Sequence, residues 1–76
     1  MKVQILGTGC PKCRQLEANA RTAIADLDRQ IEVVKVDDIR EIMTFGVMTT
    51  PALAIDGVVK SKGKVLSPAE ISELIG

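Results

Sequence analysis

The apolar positions of this 76-residue chain change their spacing along the sequence, and each spacing predicts an element. Residues 2–6 form a short apolar run followed by two glycines, which is typical of a strand. From Pro11 onward the spacing becomes helical. The positions of this apolar stripe are Leu16, Ala20, Ala23, Ile24 and Leu27. Because proline suits the first turn of a helix, we expect an amphipathic helix over residues 11–28, with Cys10 at its N-cap.

The middle of the chain predicts a second strand and a second helix. Residues 31–36 are β-branched and mostly apolar, which favours a strand that is covered on both faces. The next segment, DDIREIMTF, starts with acidic residues and has helical apolar spacing, so we expect a short helix that ends near Gly46. The buried side of this helix is predicted to consist of Ile39, Ile42 and Met43.

The following segment predicts a strand hairpin. Residues 52–55, ALAI, are too apolar for a half-exposed strand, and the dipeptide Asp56-Gly57 after them is a strong turn signal. Lysines alternate along the returning strand and place one charged face in solvent, as expected of an exposed edge strand. These lysines are Lys60, Lys62 and Lys64.

A terminal helix completes the predicted order of elements. The tetrapeptide SPAE, residues 67–70, combines a capping box with proline in the first turn. The buried face of this helix is predicted to consist of Ile71, Leu74 and Ile75. The resulting order, βαβαββα, indicates an α/β fold in which a four-stranded mixed sheet is flanked by three helices.

Composition narrows the class of protein. Hydrophobic residues make up 46% of the chain, which is enough for one core at this length. Ten basic and ten acidic residues balance, so no net field favours nucleic acid or an anionic membrane. The apolar runs are far shorter than a membrane-spanning helix, which needs about 20 residues. The first residues also lack the apolar core of a signal peptide. We therefore expect a single domain over residues 1–76, a monomeric cytoplasmic protein without nucleic-acid or membrane partners.

The two cysteines, Cys10 and Cys13, are the candidates for chemistry. A disulfide between them would close only a four-residue loop, which the chain-entropy model values at about 2 kcal/mol, a small gain for a structural cross-link. Unpaired N–H groups at a helix N-terminus instead favour a thiolate, and Lys12 and Arg14 add positive charge nearby. We therefore expect a lowered pKa and an exposed sulfur at Cys10, and a covered, protonated thiol at Cys13.

This arrangement predicts a dithiol mechanism. The Cys10 thiolate attacks a substrate disulfide, and Cys13 then displaces the substrate and leaves Cys10 and Cys13 joined. The two sulfurs suffice for this reaction, so no cofactor is predicted. Two alternatives use the same sulfurs. A lone CxxC suits Cu(I), although Met43 and Met48 are interpreted as core or loop residues rather than copper ligands. A redox-sensing interaction module is the other alternative.

The sequence CPKC at the start of a helix, followed by TTP about 40 residues later and then by a hairpin and a helix, resembles the thioredoxin fold. The short form resembles the small, glutaredoxin-sized thioredoxin-like proteins called redox-active disulfide protein 2. The resemblance implies that Pro51 is a cis-proline beside the disulfide and that the backbone of Thr50 pairs with an extended substrate. It also implies protein disulfides as substrates and a thioredoxin-reductase-type flavoenzyme as the electron donor.

Two positions depart from the thioredoxin pattern. Gly9 stands where thioredoxins carry tryptophan, and Gln4 stands where they carry a buried acid that takes the proton of the second cysteine. Gln4 cannot act as a base, so Cys13 must lose its proton to water, to the substrate or to Cys10. The predicted catalytic residues are Cys10 and Cys13, and the predicted substrate-binding residues are Gly9, Pro11, Lys12, Thr50 and Pro51; no metal ligand is predicted.

Overall fold

A computed structural model describes residues 1–27 and 29–76 of the chain. In chain order the elements are β1 (Lys2–Leu6), α1 (Pro11–Ala25), β2 (Glu32–Val36), α2 (Ile39–Thr44), β3 (Ala52–Ile55), β4 (Val58–Lys62) and α3 (Pro68–Ile75). This order confirms the predicted fold class, an α/β arrangement of four strands and three helices.

The four strands form one mixed sheet in the order β2-β1-β3-β4. Strand β1 pairs in parallel with β2 and antiparallel with β3, which in turn pairs antiparallel with β4. All four residues of β3 are buried, as predicted for residues 52–55. Leu6 pairs with Ala52, so the chain just before β3 lies beside the loop that leaves β1. This register brings the Thr50–Pro51 segment towards the cysteine loop.

The two faces of the sheet carry separate apolar clusters because successive side chains of a strand point to opposite faces. The cluster beneath α1 and α3 consists of Val3, Ile5, Leu16, Ala20, Ala23, Leu53, Ile55, Leu66, Ile71 and Ile75. The cluster beneath α2 consists of Leu6, Val36, Ile42, Val47 and Ala52, with Phe45 packed against it. The core is therefore almost wholly aliphatic, and Phe45 packs against it as a half-buried side chain.

Two predictions for the first half of the chain need correction. The helix α1 ends at Ala25, with Asp26 as its C-cap, and the N–H of Leu27 donates to the carbonyl of Ile24 at 3.0 Å. Its predicted end falls on Asp28, which lies outside the described residues. The prediction that residues 31–36 are covered on both faces is confirmed only in part: Val33 packs against the cluster beneath α1 and α3, Val34 packs against the cluster beneath α2, and β2 is an edge strand. Its central residues, Val33 and Val34, are only half-buried.

The hairpin has the predicted turn, with Asp56 and Gly57 at φ values of 50° and 86°. Strand β4 is an edge strand, as predicted, but it ends at Lys62, and its register with β3 shifts beyond Leu53. Lys64 therefore follows the strand instead of sharing one face with the other lysines. The predicted capping box of α3 is present. Leu74, however, is 39% exposed and does not belong to the buried face of this helix.

Among the residues that the structure describes, no helix combines the length and the apolar character needed to cross a membrane.

Candidate functional site

Cys10 is the N-cap of α1, as predicted, and this position fixes its chemistry. Its backbone is extended, with φ −67° and ψ 163°, and Pro11 begins the helix. The Cys10 sulfur accepts a hydrogen bond from the backbone N–H of Cys13 at 3.3 Å, as a capping side chain does. The Cys10 carbonyl accepts the N–H of Arg14 at 3.0 Å. Local helix geometry therefore points the Cys10 sulfur at unpaired backbone donors.

The two cysteines are free thiols whose sulfur atoms lie 2.6 Å apart. Cys10 is half-exposed, whereas only 5% of Cys13 is accessible to solvent. The sulfur of Cys10 is thus the one that an incoming molecule can reach, and Cys13 lies directly behind it. This difference in exposure is the one that the sequence predicts for an attacking and a resolving thiol.

The pKa values of the two thiols are displaced in opposite directions. The pKa of Cys10 is lowered because its sulfur accepts hydrogen bonds from the Cys13 thiol and from the Cys13 backbone N–H. The pKa of Cys13 is raised because burial disfavours its thiolate and because its thiol is hydrogen-bonded to Cys10. Hydrogen bonds at the start of the helix are therefore the main cause of the lowered pKa of Cys10.

Two glycines of the β1–α1 loop have different surroundings. Gly7 is buried, and a Cβ placed on it would overlap the sulfur of Cys13 and lie 3.0 Å from the Cβ of that residue. Gly9 is exposed, has a φ of 92°, and would keep open space around a Cβ. Gly9 therefore serves the backbone turn, whereas Gly7 leaves room for the buried sulfur, a contact that strand and loop patterns do not signal.

The segment before β3 lies beside this loop. The peptide bond between Thr50 and Pro51 is cis, Pro51 is buried, and Thr50 is exposed. The carbonyl of Pro51 accepts the N–H of Gly63 at 2.8 Å, which ties the segment to the end of β4. Thr8 of the cysteine loop and Thr50 line the same groove. Sheet register therefore places the predicted substrate-binding residue Thr50 next to the cysteine loop.

This groove has a volume of about 300 Å³ and is mainly apolar. Its lining consists of Thr8, Ile39, Ile42, Met43, Val47, Met48 and Thr50, and we call it the apolar groove. Of the three residues predicted to bury one side of α2, only Ile42 is buried; Ile39 is 63% and Met43 is 68% exposed. Met48 is fully exposed. The prediction is wrong for Ile39 and Met43: α2 is only six residues long, and Ile42 is its one buried residue.

The remaining predicted residues have plainer surroundings. Pro11 and Lys12 are exposed on the first turn of α1. The side-chain oxygen of Gln4 accepts the N–H of Gly57 at 2.8 Å, so this side chain supports the hairpin turn. Within residues 1–27 and 29–76 no three His, Cys, Asp or Glu side chains gather as a metal site.

Comparison with known proteins agrees with this geometry. The sequence matches the family described as "Thioredoxin domain" over residues 1–76. It is similar to a thioredoxin of Methanothermobacter thermautotrophicus, with 41% identity over 75 residues that cover 99% of this chain and 97% of the relative. It is also similar to a thioredoxin of Methanocaldococcus jannaschii, with 44% identity over 71 residues, 93% of this chain and 81% of the relative.

Proposed function

Since the chain belongs to the thioredoxin domain family and has a thioredoxin-like redox function, we propose that it reduces protein disulfides through Cys10 and Cys13. The observation that carries the proposal is the pairing of a half-exposed sulfur with a buried one 2.6 Å behind it. Neither a structural staple nor a simple surface thiol requires that one sulfur be reachable and the other covered.

The first step uses Cys10 as the nucleophile. Its thiolate attacks one sulfur of a substrate disulfide, forms a mixed disulfide with it, and expels the other sulfur as a thiolate that takes a proton from water. The lowered pKa of Cys10, which arises from the hydrogen bonds of Cys13, increases the fraction of attacking thiolate near neutral pH.

The second step uses Cys13. Once Cys10 has formed a mixed disulfide, its sulfur is no longer an anion. The Cys13 thiol therefore loses the hydrogen bond that it donated to the Cys10 thiolate. Cys13 gives this proton to solvent, attacks the Cys10 sulfur and releases the second substrate thiolate. The substrate gains two electrons and the protein is left with a Cys10–Cys13 disulfide. Gln4 takes no proton because it is an amide.

The proposed substrates are disulfides carried by polypeptides. The apolar groove begins at Thr8, on the cysteine loop, and contains the exposed side chains of Met43 and Met48. Methionine side chains adapt to differently shaped apolar partners. A polypeptide whose disulfide has reached Cys10 would therefore lay its neighbouring residues along this groove, and the exposed backbone of Thr50 would pair with them.

Regeneration needs an external two-electron donor. We propose a thioredoxin-reductase-type flavoenzyme, as the family implies, acting on the Cys10–Cys13 disulfide. The proposal retains the expectation of a cytoplasmic protein, since a reducing compartment keeps such thiols reduced.

The experiment that tests this function is a turbidity assay of insulin reduction with dithiothreitol as the donor. The wild-type chain should accelerate precipitation, and Cys10→Ser should abolish the acceleration. Cys13→Ser should retain the attacking sulfur and accumulate as a mixed disulfide with insulin chains, detected by mass spectrometry. A Cys10→Ser variant that forms these adducts as readily as Cys13→Ser would contradict the assigned order of attack.

A further inference from the structure

A second depression, larger than the apolar groove, opens on the other side of the cysteine loop. It has a volume of about 640 Å³, within the range of small-molecule sites, and Cys13 forms part of its wall. Its complete lining consists of Ile5, Gly7, Thr8, Gly9, Cys13, Arg14, Glu17, Ala18, Arg21 and Lys35. We call it the cationic cleft, since three of these side chains are cations and one is a carboxylate.

The charges of the cationic cleft are held in place by Glu17. Its carboxylate accepts hydrogen bonds from Nε and Nη2 of Arg21, at 3.1 and 2.9 Å. It also lies 3.5 Å from Nζ of Lys35. Arg21 belongs to α1 and Lys35 to β2, so one carboxylate brings cations of two elements to one wall. The Nε–H of Arg14 donates to the carbonyl of Gly9 at 3.2 Å, which holds a third cation next to the cysteine loop.

The lining carries an excess of two positive charges, although the whole chain has none. Glu17 is largely covered, whereas more than half of the Arg21 and Lys35 side chains is accessible, so the carboxylate faces its partners and the cations face the opening. An anionic group entering the cleft therefore meets cations first. Because Cys13 lines the cleft and its sulfur is 2.6 Å from that of Cys10, one end of the cleft reaches the sulfur pair.

We propose that the cationic cleft binds an anionic group, of the carboxylate type, carried by the disulfide that Cys10 attacks. The inference rests on the proposed function and specifies its substrate class: disulfides with a negatively charged arm are preferred over neutral ones, and neutral ones over cationic ones. Thr8 lines both depressions, so a disulfide at Cys10 has an apolar surface on one side and a cationic surface on the other.

The test measures single-turnover reduction of three small disulfides by the pre-reduced chain. The probes are 3,3′-dithiodipropionate, bis(2-hydroxyethyl) disulfide and cystamine, which are anionic, neutral and cationic at neutral pH. Each rate constant is divided by that of dithiothreitol with the same probe, which removes the intrinsic reactivity of the disulfide. We expect the normalised rate to be about fivefold higher for the anion than for the neutral probe, and lower by a similar factor for the cation. Salt near 1 M should abolish these differences.

Variants that change the charge of the cleft should shift the preference for anionic probes in opposite directions, which a purely structural role of these residues would not do. The double variant Arg21→Gln/Lys35→Gln leaves Arg14 and Glu17, a lining without excess charge, and should lose the preference. Glu17→Gln leaves three cations without a carboxylate and should increase it. Lys2→Gln removes one positive charge at the opposite end of β1 and should retain the wild-type preference.

Equal normalised rates for the three probes in the wild-type chain would overturn the cationic cleft as a site while leaving the proposed reductase function intact. An unchanged preference in Arg21→Gln/Lys35→Gln would do the same. Failure to reduce any of the three probes would also overturn this inference, whereas the proposed function is overturned only if insulin is not reduced either.

Discussion

The sulfur of Cys13 lies against the backbone of Gly7, in space that a side chain at position 7 would have to share. Gly7 ends the run of β1, donates its N–H to the carbonyl of Val36 at 3.0 Å, and does not have a positive φ. An alanine could therefore adopt this backbone conformation, and the atoms that its Cβ would meet are the sulfur and the Cβ of Cys13. This relationship makes glycine at position 7 a requirement of the sulfur pair rather than of the loop.

Gly7→Ala should destabilise the reduced protein by about 1–3 kcal/mol, the usual cost of forcing one extra carbon into a packed site. In a Cys13→Ala background the closest overlap is absent, so the same substitution should cost clearly less. Denaturant unfolding of the four proteins in excess reductant measures this coupling. Equal costs in both backgrounds would show that position 7 acts through the loop and not through the sulfur.

The displaced pKa of Cys10 gives a prediction for the pH dependence of alkylation. Because hydrogen bonds from Cys13 lower this pKa, the iodoacetamide rate of Cys10 should rise with pH through a midpoint below about 8.5, the value of a free thiol. Cys13→Ala removes the thiol donor and should move the midpoint up towards that value. Cys13→Ser retains a hydroxyl donor and should move it less. Coincident midpoints for the two variants would contradict the assigned cause.

The same hydrogen bonds link folding to pH. A group whose pKa is lowered by folding contributes stability in full above its unfolded pKa, and this contribution is lost as the pH falls through the folded value. The Cys10 contribution to the stability of the reduced protein should therefore be complete above about pH 8.5 and decrease below it. Unfolding curves of reduced wild type and Cys10→Ala, compared across pH, measure this difference.

Met48 provides a test of the apolar groove. Because this side chain is fully exposed, Met48→Ser should leave the free energy of unfolding within about 0.5 kcal/mol of wild type. It should nevertheless slow the reduction of insulin severalfold, since a polypeptide substrate would cover it, while leaving bis(2-hydroxyethyl) disulfide unaffected. Val58→Ser is the matched control, since it removes an exposed apolar side chain from β4, outside the groove.

The elements that were predicted correctly are those that local sequence determines. The N-cap position of Cys10 was predicted from Pro11 and from the helical spacing of the apolar residues that follow it. The hairpin was predicted from the dipeptide Asp56-Gly57. The edge position of β2 could not be predicted, because the order of strands depends on pairing between distant segments. For the same reason the apolar pattern of residues 31–36 indicated more coverage than the strand receives.

The functional surroundings of the cysteines were predictable only in part. The sulfurs and the Thr50–Pro51 segment have a recognisable sequence pattern. The cationic cleft has none, because it joins Arg21 of α1 to Lys35 of β2 through a carboxylate, and no local spacing relates these positions. Similarly, helical periodicity cannot tell whether the apolar face of a short helix such as α2 is covered or exposed as a groove.

The capping box of α3 gives a final prediction, one that concerns stability alone. The backbone N–H of Glu70 donates to Oγ of Ser67 at 3.2 Å, and the carboxylate of Glu70 accepts the N–H of Ser67 at 3.1 Å. Ser67→Ala removes one of these bonds and should cost about 1 kcal/mol in the free energy of unfolding. Hydrogen bonds from the backbone N–H and the side chain of Ser67 to the carboxylate lower the pKa of Glu70, so its contribution should be present above about pH 4.3 and be lost as the pH falls through the lower folded value.

Glu70→Gln separates the hydrogen bond from the charge. Glutamine can accept the same N–H of Ser67 but does not titrate, so this variant should stay folded near neutral pH and show a smaller loss of stability on acidification than wild type. Glu73→Gln, on the same helix but outside the capping box, is the matched control and should keep the wild-type pH dependence. If Glu70→Gln and wild type lost stability in parallel on acidification, the pH dependence would have to come from other carboxylates, and the capping bond would not depend on ionised Glu70.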